Sequence, residues 1–221
     1  MRTRRTRLFI SAALTVTCVV MSGCSSGGGG ATDSSKKVTA SLQSTREQLV
    51  KAKAEVRQAN AALDKLAGGG NVEQTYKAFT KEVADIKAAG DKARARAQDM
   101  AARQRAYVAN WEQETAKISS AELKAGAMAR RQTVQQNYDR IKAAAASAGD
   151  AYRPYLQGLQ EIQQVLAHDL TAGGVDAAKT AMAKTKADGE TLIERLDALI
   201  AELDNVSKGA APTAGAQSSA K

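Results

Sequence analysis

The sequence predicts an all-α chain, an elongated antiparallel four-helix coiled-coil bundle with a projecting two-helix arm. Three observations carry this. Residues 36–206 contain a single proline, Pro154, and are rich in the strong helix formers Ala, Gln, Lys, Glu and Leu. Apolar and small residues recur through that stretch in steps of three and four, with no strand-like alternation. Glycine clusters and short polar runs then divide it into two shorter outer and two longer inner segments.

The first helix, residues 36–66, sets Leu42, Leu49, Val56 and Leu63 on one seam, with Thr45, Ala52, Ala59 and Leu66 between them. The second, residues 72–118, carries its seam from Val72 through Phe79, Ile86, Gly90, Ala93 and Met100 to Gln104, Tyr107 and Trp111. The third, residues 120–169, runs from Val134 through Ile141, Ala148 and Tyr155 to Leu166, and the fourth, residues 175–206, from Val175 through Gly189 and Leu196 to Val206. Unbroken three-four spacing of this kind is the pattern of helices that pack knobs into holes.

The joints between them carry stop and start chemistry. Gly68-Gly69-Gly70 ends the first helix, and Asn71 with Gln74 can cap the second. Ser119 and Glu122 read as a capping box for the third, and Thr171-Ala172-Gly173-Gly174 separates the third from the fourth. Pro154 removes a backbone donor, yet the seam keeps its phase from Ala148 to Tyr155, so a kink is expected rather than a break. Folding about these joints sets Gly90 against Ala148, with Leu49 opposite Gly90, Leu196 near Ala148 and Gly189 near Tyr155, so large residues face small ones and the layers are expected to interdigitate without voids. The outer helices are short, so residues 101–137 are expected to project as an arm up to ~27 Å long.

Residues 1–23 read as a removable leader. Arg2, Arg4, Arg5 and Arg7 precede an apolar stretch too short to span a bilayer. Met21-Ser22-Gly23-Cys24 then resembles the bacterial lipobox, which implies cleavage before Cys24 and acylation of its thiol. Cys18 leaves with the leader, so the mature chain keeps no free thiol for disulfides or metal sites. Membrane attachment through acyl chains on Cys24 is therefore expected. Residues 24–35, the lipidated Cys and a Gly/Ser tether of roughly 18 Å reach, free the body from the membrane, and residues 207–221 have no periodicity and read as a disordered tail. Ser25, rather than Asp, follows the Cys. By resemblance to known lipoproteins that favours the outer membrane, facing the periplasm.

Losing the leader's arginines lowers the formal net charge from +9 to about +5. A modest positive balance suits anionic neighbours in the envelope, and export argues against nucleic acid as a partner. No GxSxG, HExxH or P-loop pattern occurs, and His168 is the only histidine. The chain is accordingly expected to be no enzyme and to need no cofactor or metal. Chemistry concentrates on the arm instead. Tyr107 and Trp111 sit on a seam that two helices cover less well than four, and Arg103, Arg105, Arg130 and Arg131 surround them, with Arg131 placed to stack on Tyr107.

The body resembles a bacterial family catalogued only as a domain of unknown function, DUF2959. The likeness covers roughly residues 45–206 and rests on REQLVKAKAEVRQANAAL in the first helix, NWEQE at 110–114, RRQTVQQNYDRI at 130–141 and YLQGLQEIQQVLAHDL at 155–170. The family implies a helical body and assigns no activity and no functional residue. The functional expectation is thus a lipid-anchored envelope protein acting as a non-catalytic tethering or scaffold module, with an envelope protein or a second copy held by the arm. Its alternative is direct binding of an anionic envelope component, a phospholipid, lipopolysaccharide or cell-wall polymer, by the basic arm.

Overall fold

The structure, a computed structural model, describes residues 30–210, with side chains from 36 to 208. The leader, Cys24, the tether up to residue 29 and the tail from residue 211 lie outside the described residues. The described chain forms four helices and no strand: α1 (Gly30–Ala67), α2 (Val72–Ala116), α3 (Ala121–His168) and α4 (Ala172–Ala210). Each helix packs on the next and α4 closes the ring against α1. Three ion pairs on that closing face fix its direction: Arg46 with Asp204 at 2.6 Å, Lys53 with Asp197 at 2.5 Å and Asp64 with Lys186 at 2.9 Å. As the residue number rises along α1 it falls along α4, so the two run antiparallel. Exposed pairs of this sort add little stability each, and their value is in register.

The seams are the buried faces. On α1 every seam residue from Leu42 to Leu66 is buried, and on α4 every one from Val175 to Leu203. Tyr76 Oη donates to the Gln163 carbonyl at 2.9 Å and Tyr152 Oη to the Ile86 carbonyl at 3.4 Å, which sets α2 against α3 in the register expected from the turn near Ser119. Gly189 lies against Tyr155 as expected, a Cβ there falling 2.7 Å from the ring. Gly90 lies against the Tyr152 hydroxyl, which reaches the Ile86 carbonyl one turn back, and shares a groove with Ala148, the residue expected opposite it.

The joints differ in detail. Gly69 and Gly70 take φ of 80° and 101°, the left-handed region that glycine enters without a Cβ penalty, and the Asn71 side chain accepts from Gln74 N–H at 3.0 Å. The cap of α3 is Ser120, one residue beyond the expected Ser119. Its Oγ accepts from Leu123 N–H at 3.4 Å, which puts Leu123 where a capping box needs Glu122, so no box forms. The helix starts at Gly30 instead of residue 36 on α1, and α4 spans Ala172–Ala210 instead of 175–206, drawing in the expected tether residues 30–35 and tail residues 207–210. Once nucleated, a helix propagates through small polar residues at little cost, and Ser207 Oγ returns its proton to the Leu203 carbonyl at 2.8 Å. At the other end of α4, Thr171 Oγ1 accepts from Gly174 N–H at 3.2 Å, so the first turn begins on the glycines themselves.

α3 is continuous through Pro154. Gly149, one turn before it, is exposed, and a Cβ there would meet nothing within 4 Å. Gly149→Ala is therefore expected to stabilise the bundle by ~0.5–1 kcal/mol through lower unfolded-state entropy, raising the melting temperature by about 1–4 °C. An unchanged or lower melt in circular dichroism would show that this turn needs glycine.

The expectation of a void-free interior does not hold. Gly90, Ala93 and Ala97 of α2 face Ala145, Ala148 and Gly149 of α3 across a groove of about 520 Å³. Small residues on both facing helices leave the gap, while Tyr152 and the core leucines Leu49, Leu196 and Leu199 keep the backbones apart.

Candidate functional site

α2 and α3 outrun the core as a hairpin. Between Arg105 and Arg140 only Thr115 is buried, so the hairpin's own two helices and the Glu112–Arg131 ion pair across it hold it together. Its base is covered more than the sequence suggests. Counting back from the Gly69 turn, Gly30 of the lengthened α1 stands level with about Val108, so the free part of the arm is nearer ~18 Å than ~27 Å.

At that base lies a cleft of about 530 Å³, lined from all four helices, with Val38 of α1 and Val206 of α4 meeting Tyr107, Trp111 and Tyr138. Tyr107 and Trp111 stack edge to face, ring centroids 5.5 Å apart at 85°. Both rings are half-buried. Burial pushes the Tyr107 phenol above its ordinary range, and the positive charge of Arg130 opposes that rise.

Of the six residues singled out from the sequence, Arg103, Tyr107, Trp111 and Arg130 line this cleft. Arg131 does not stack on Tyr107 as expected, because the Glu112 carboxylate on the facing helix takes its guanidinium. The cation beside Tyr107 is Arg130. Arg105 is exposed and away from the cleft lining. Arg103 is held by Asp99 at 2.9 Å, one helical turn back, whereas Arg105 and Arg130 have no carboxylate partner among the described residues.

Gln104 escaped the sequence reading as a site residue. It is 8% exposed, lines the cleft, and its amide nitrogen has no hydrogen-bond partner. The signal was a polar residue on an otherwise apolar seam line, where a buried amide needs a partner. A second missed group is the trio Glu55, Glu82 and Asp85, whose carboxylate oxygens lie within 4.8 Å of one another. The Lys81 ammonium sits 2.5 Å from Asp85 and 3.7 Å from Glu82, which offsets part of the negative charge. His168 is the exposed last residue of α3.

An all-helical bundle with a hairpin arm and an aromatic, arginine-rimmed cleft at its base is the class that this geometry defines. Residues 32–208 match the family described as "Protein of unknown function (DUF2959)", and the chain belongs to that family. The match runs through all four helices, so bundle, arm and cleft fall within it. Searches of curated proteins and of solved structures return no match.

Proposed function

We propose that this chain is a non-catalytic interaction module of the bacterial envelope, attached to the outer membrane through acyl chains on Cys24 and holding a protein partner, or a second copy, by its two-helix arm. The observation that carries it is the hairpin beyond the cleft. With one buried residue between Arg105 and Arg140, and with Leu123 and Met128 exposed by 67% and 51%, it presents apolar surface that its own fold leaves uncovered. Tyr107 and Trp111 at its base supply the half-buried aromatic anchors that dominate binding energy in protein interfaces. The described helices contain no segment long and apolar enough to cross a membrane, and in this reading the N-terminal Cys makes the attachment. No nucleophile and base pair is part of the site, and the reading assigns it no catalysis, cofactor or metal.

Photoreactive residues placed beside Tyr107 and Trp111 in intact cells test this. A discrete protein adduct or self-adduct is expected, and the double variant Tyr107→Ala with Trp111→Ala should weaken it at least about thirty-fold with helicity intact. Adducts confined to lipid or glycan would overturn it in favour of an anion-binding arm.

A further inference from the structure

We propose that the groove between α2 and α3 is a binding site for one long-chain fatty acid, its carboxylate at Gln104 and Arg130 and its hydrocarbon tail running past Met100 and Ile141 toward Ile86. The proposal goes beyond the tethering role and does not depend on it. The cleft at the arm's base and the groove between the small-residue faces are about 530 and 520 Å³, and both are lined by Met100 and Ile141. They adjoin at these two residues, and each is within the ~300–1,000 Å³ of small-molecule sites.

The two parts lie in succession along α2, an arrangement that suits one extended chain passing between Met100 and Ile141 and not the paired chains of a diacyl lipid. Along α2 the stretch from Met100 to Ile86 is ~21 Å at 1.5 Å per residue. A lipid chain of about 15 Å, half of the ~30 Å hydrocarbon core of a bilayer, laid from Gln104 covers about ten residues of α2 and ends near Ala93. Leu49, Val56, Leu196 and Leu199 wall this stretch, and the one carboxylate on its rim, Asp150, is paired with Arg153. The tail would replace empty space between Ala93 and Ala145 with dispersion contacts.

The other end has the opposite character. The Gln104 amide nitrogen is buried without an acceptor, a costly arrangement that a carboxylate oxygen would relieve once the amide turns into the cleft that Gln104 lines. Arg130 lines the same cleft with no carboxylate partner among the described residues, so an anionic head meets an uncompensated guanidinium there. One unpaired donor, one unpaired cation and an adjoining, largely apolar groove suit an amphiphile with a single tail and a negative head.

Trp111, the only tryptophan in the chain, lines the head end and reports the orientation directly. Stearate carrying a nitroxide quencher near its carboxylate should quench the fluorescence of the purified full chain saturably, and more strongly than stearate labelled at its methyl end. Ala93→Leu with Ala145→Leu fills the slot and should weaken binding at least about ten-fold, with helicity unchanged. Gln104→Leu leaves the slot open and should weaken it about ten-fold through the lost charged hydrogen bond, which keeps the test decisive if the filled variant fails to fold. Quenching that never saturates, equal quenching by the two labels, or undiminished binding by a folded slot-filled variant would each overturn the proposal. The crosslinking result at the arm is read separately, so failure here leaves the tethering role untouched.

Discussion

Tyr155→Ala is expected to cost about 3–5 kcal/mol of unfolding free energy, the range for truncating a fully buried aromatic side chain. Tyr155 is 0% exposed at the centre of the bundle. Its hydroxyl lies 3.0 Å from Asn60 Oδ1 and 3.3 Å from the Val56 carbonyl, one proton serving two acceptors on α1. Burial pushes its phenol far above the ordinary range, so the neutral donor persists at any pH the cell meets. Truncation removes the ring that α1, α3 and α4 share and leaves the buried Asn60 oxygen without its donor. Tyr155→Phe isolates the second effect and should cost about 1–3 kcal/mol. Urea unfolding followed by circular dichroism measures both. A loss under about 1 kcal/mol for the alanine variant would mean that the ring does not fill the core as described.

Gly189→Leu is the second large effect. The Cβ alone would lie 2.5 Å from Asn60 Oδ1 and 2.7 Å from Tyr155 Cε2, so the side chain must displace the same polar contact that Tyr155 makes. Overpacking of this kind costs about 1–3 kcal/mol or more, against a gain of about 1 kcal/mol for removing a helical glycine. The net sign is destabilising, opposite to that expected for Gly149→Ala on the open face of α3. Equal midpoints for Gly189→Leu and the parent chain would show that α1, α3 and α4 have more room at this level than the contacts imply.

The seams were legible because burial on a bundle follows a period that the sequence writes residue by residue, and the joints at Gly69 and Asn71 were legible because backbone chemistry selects those residue types. Other features depend on quantities that periodicity does not carry. The extension of α1 back to Gly30 and of α4 on to Ala210 reflects helix propagation through Ser, Thr and Gly, residues that read locally as tether and tail. Ser119 and Ser120 are equivalent N-caps by type, and the loop's length decides between them. The groove escapes a reading that pairs the small residues of α2 and α3 with each other and expects Leu49, Leu196 and Leu199 to fill the layer, whereas those leucines line the gap. Of the candidate site, Tyr107, Trp111, Arg103 and Arg130 were readable as an arm surface. The cleft that unites them needs Val38 and Val206, whose contribution follows only from how far the outer helices extend.

The free end of the arm, the start of α1 and the finish of α4 all lie at one end of the bundle, and the Gly69 and Thr171 turns lie at the other. For a protein loaded mechanically between its N-terminus and whatever grips the hairpin, that arrangement selects the mode of failure. Force enters and leaves at the same end, so α1 is peeled from its neighbours a turn at a time, beginning where Val38 and Leu42 meet the cleft, and the helices are never sheared along their length. Peeling breaks contacts in series and yields at low force, whereas shearing breaks a whole seam at once. The distal turns carry no tension in this geometry, so in the proposed tethering role the body would give way gradually.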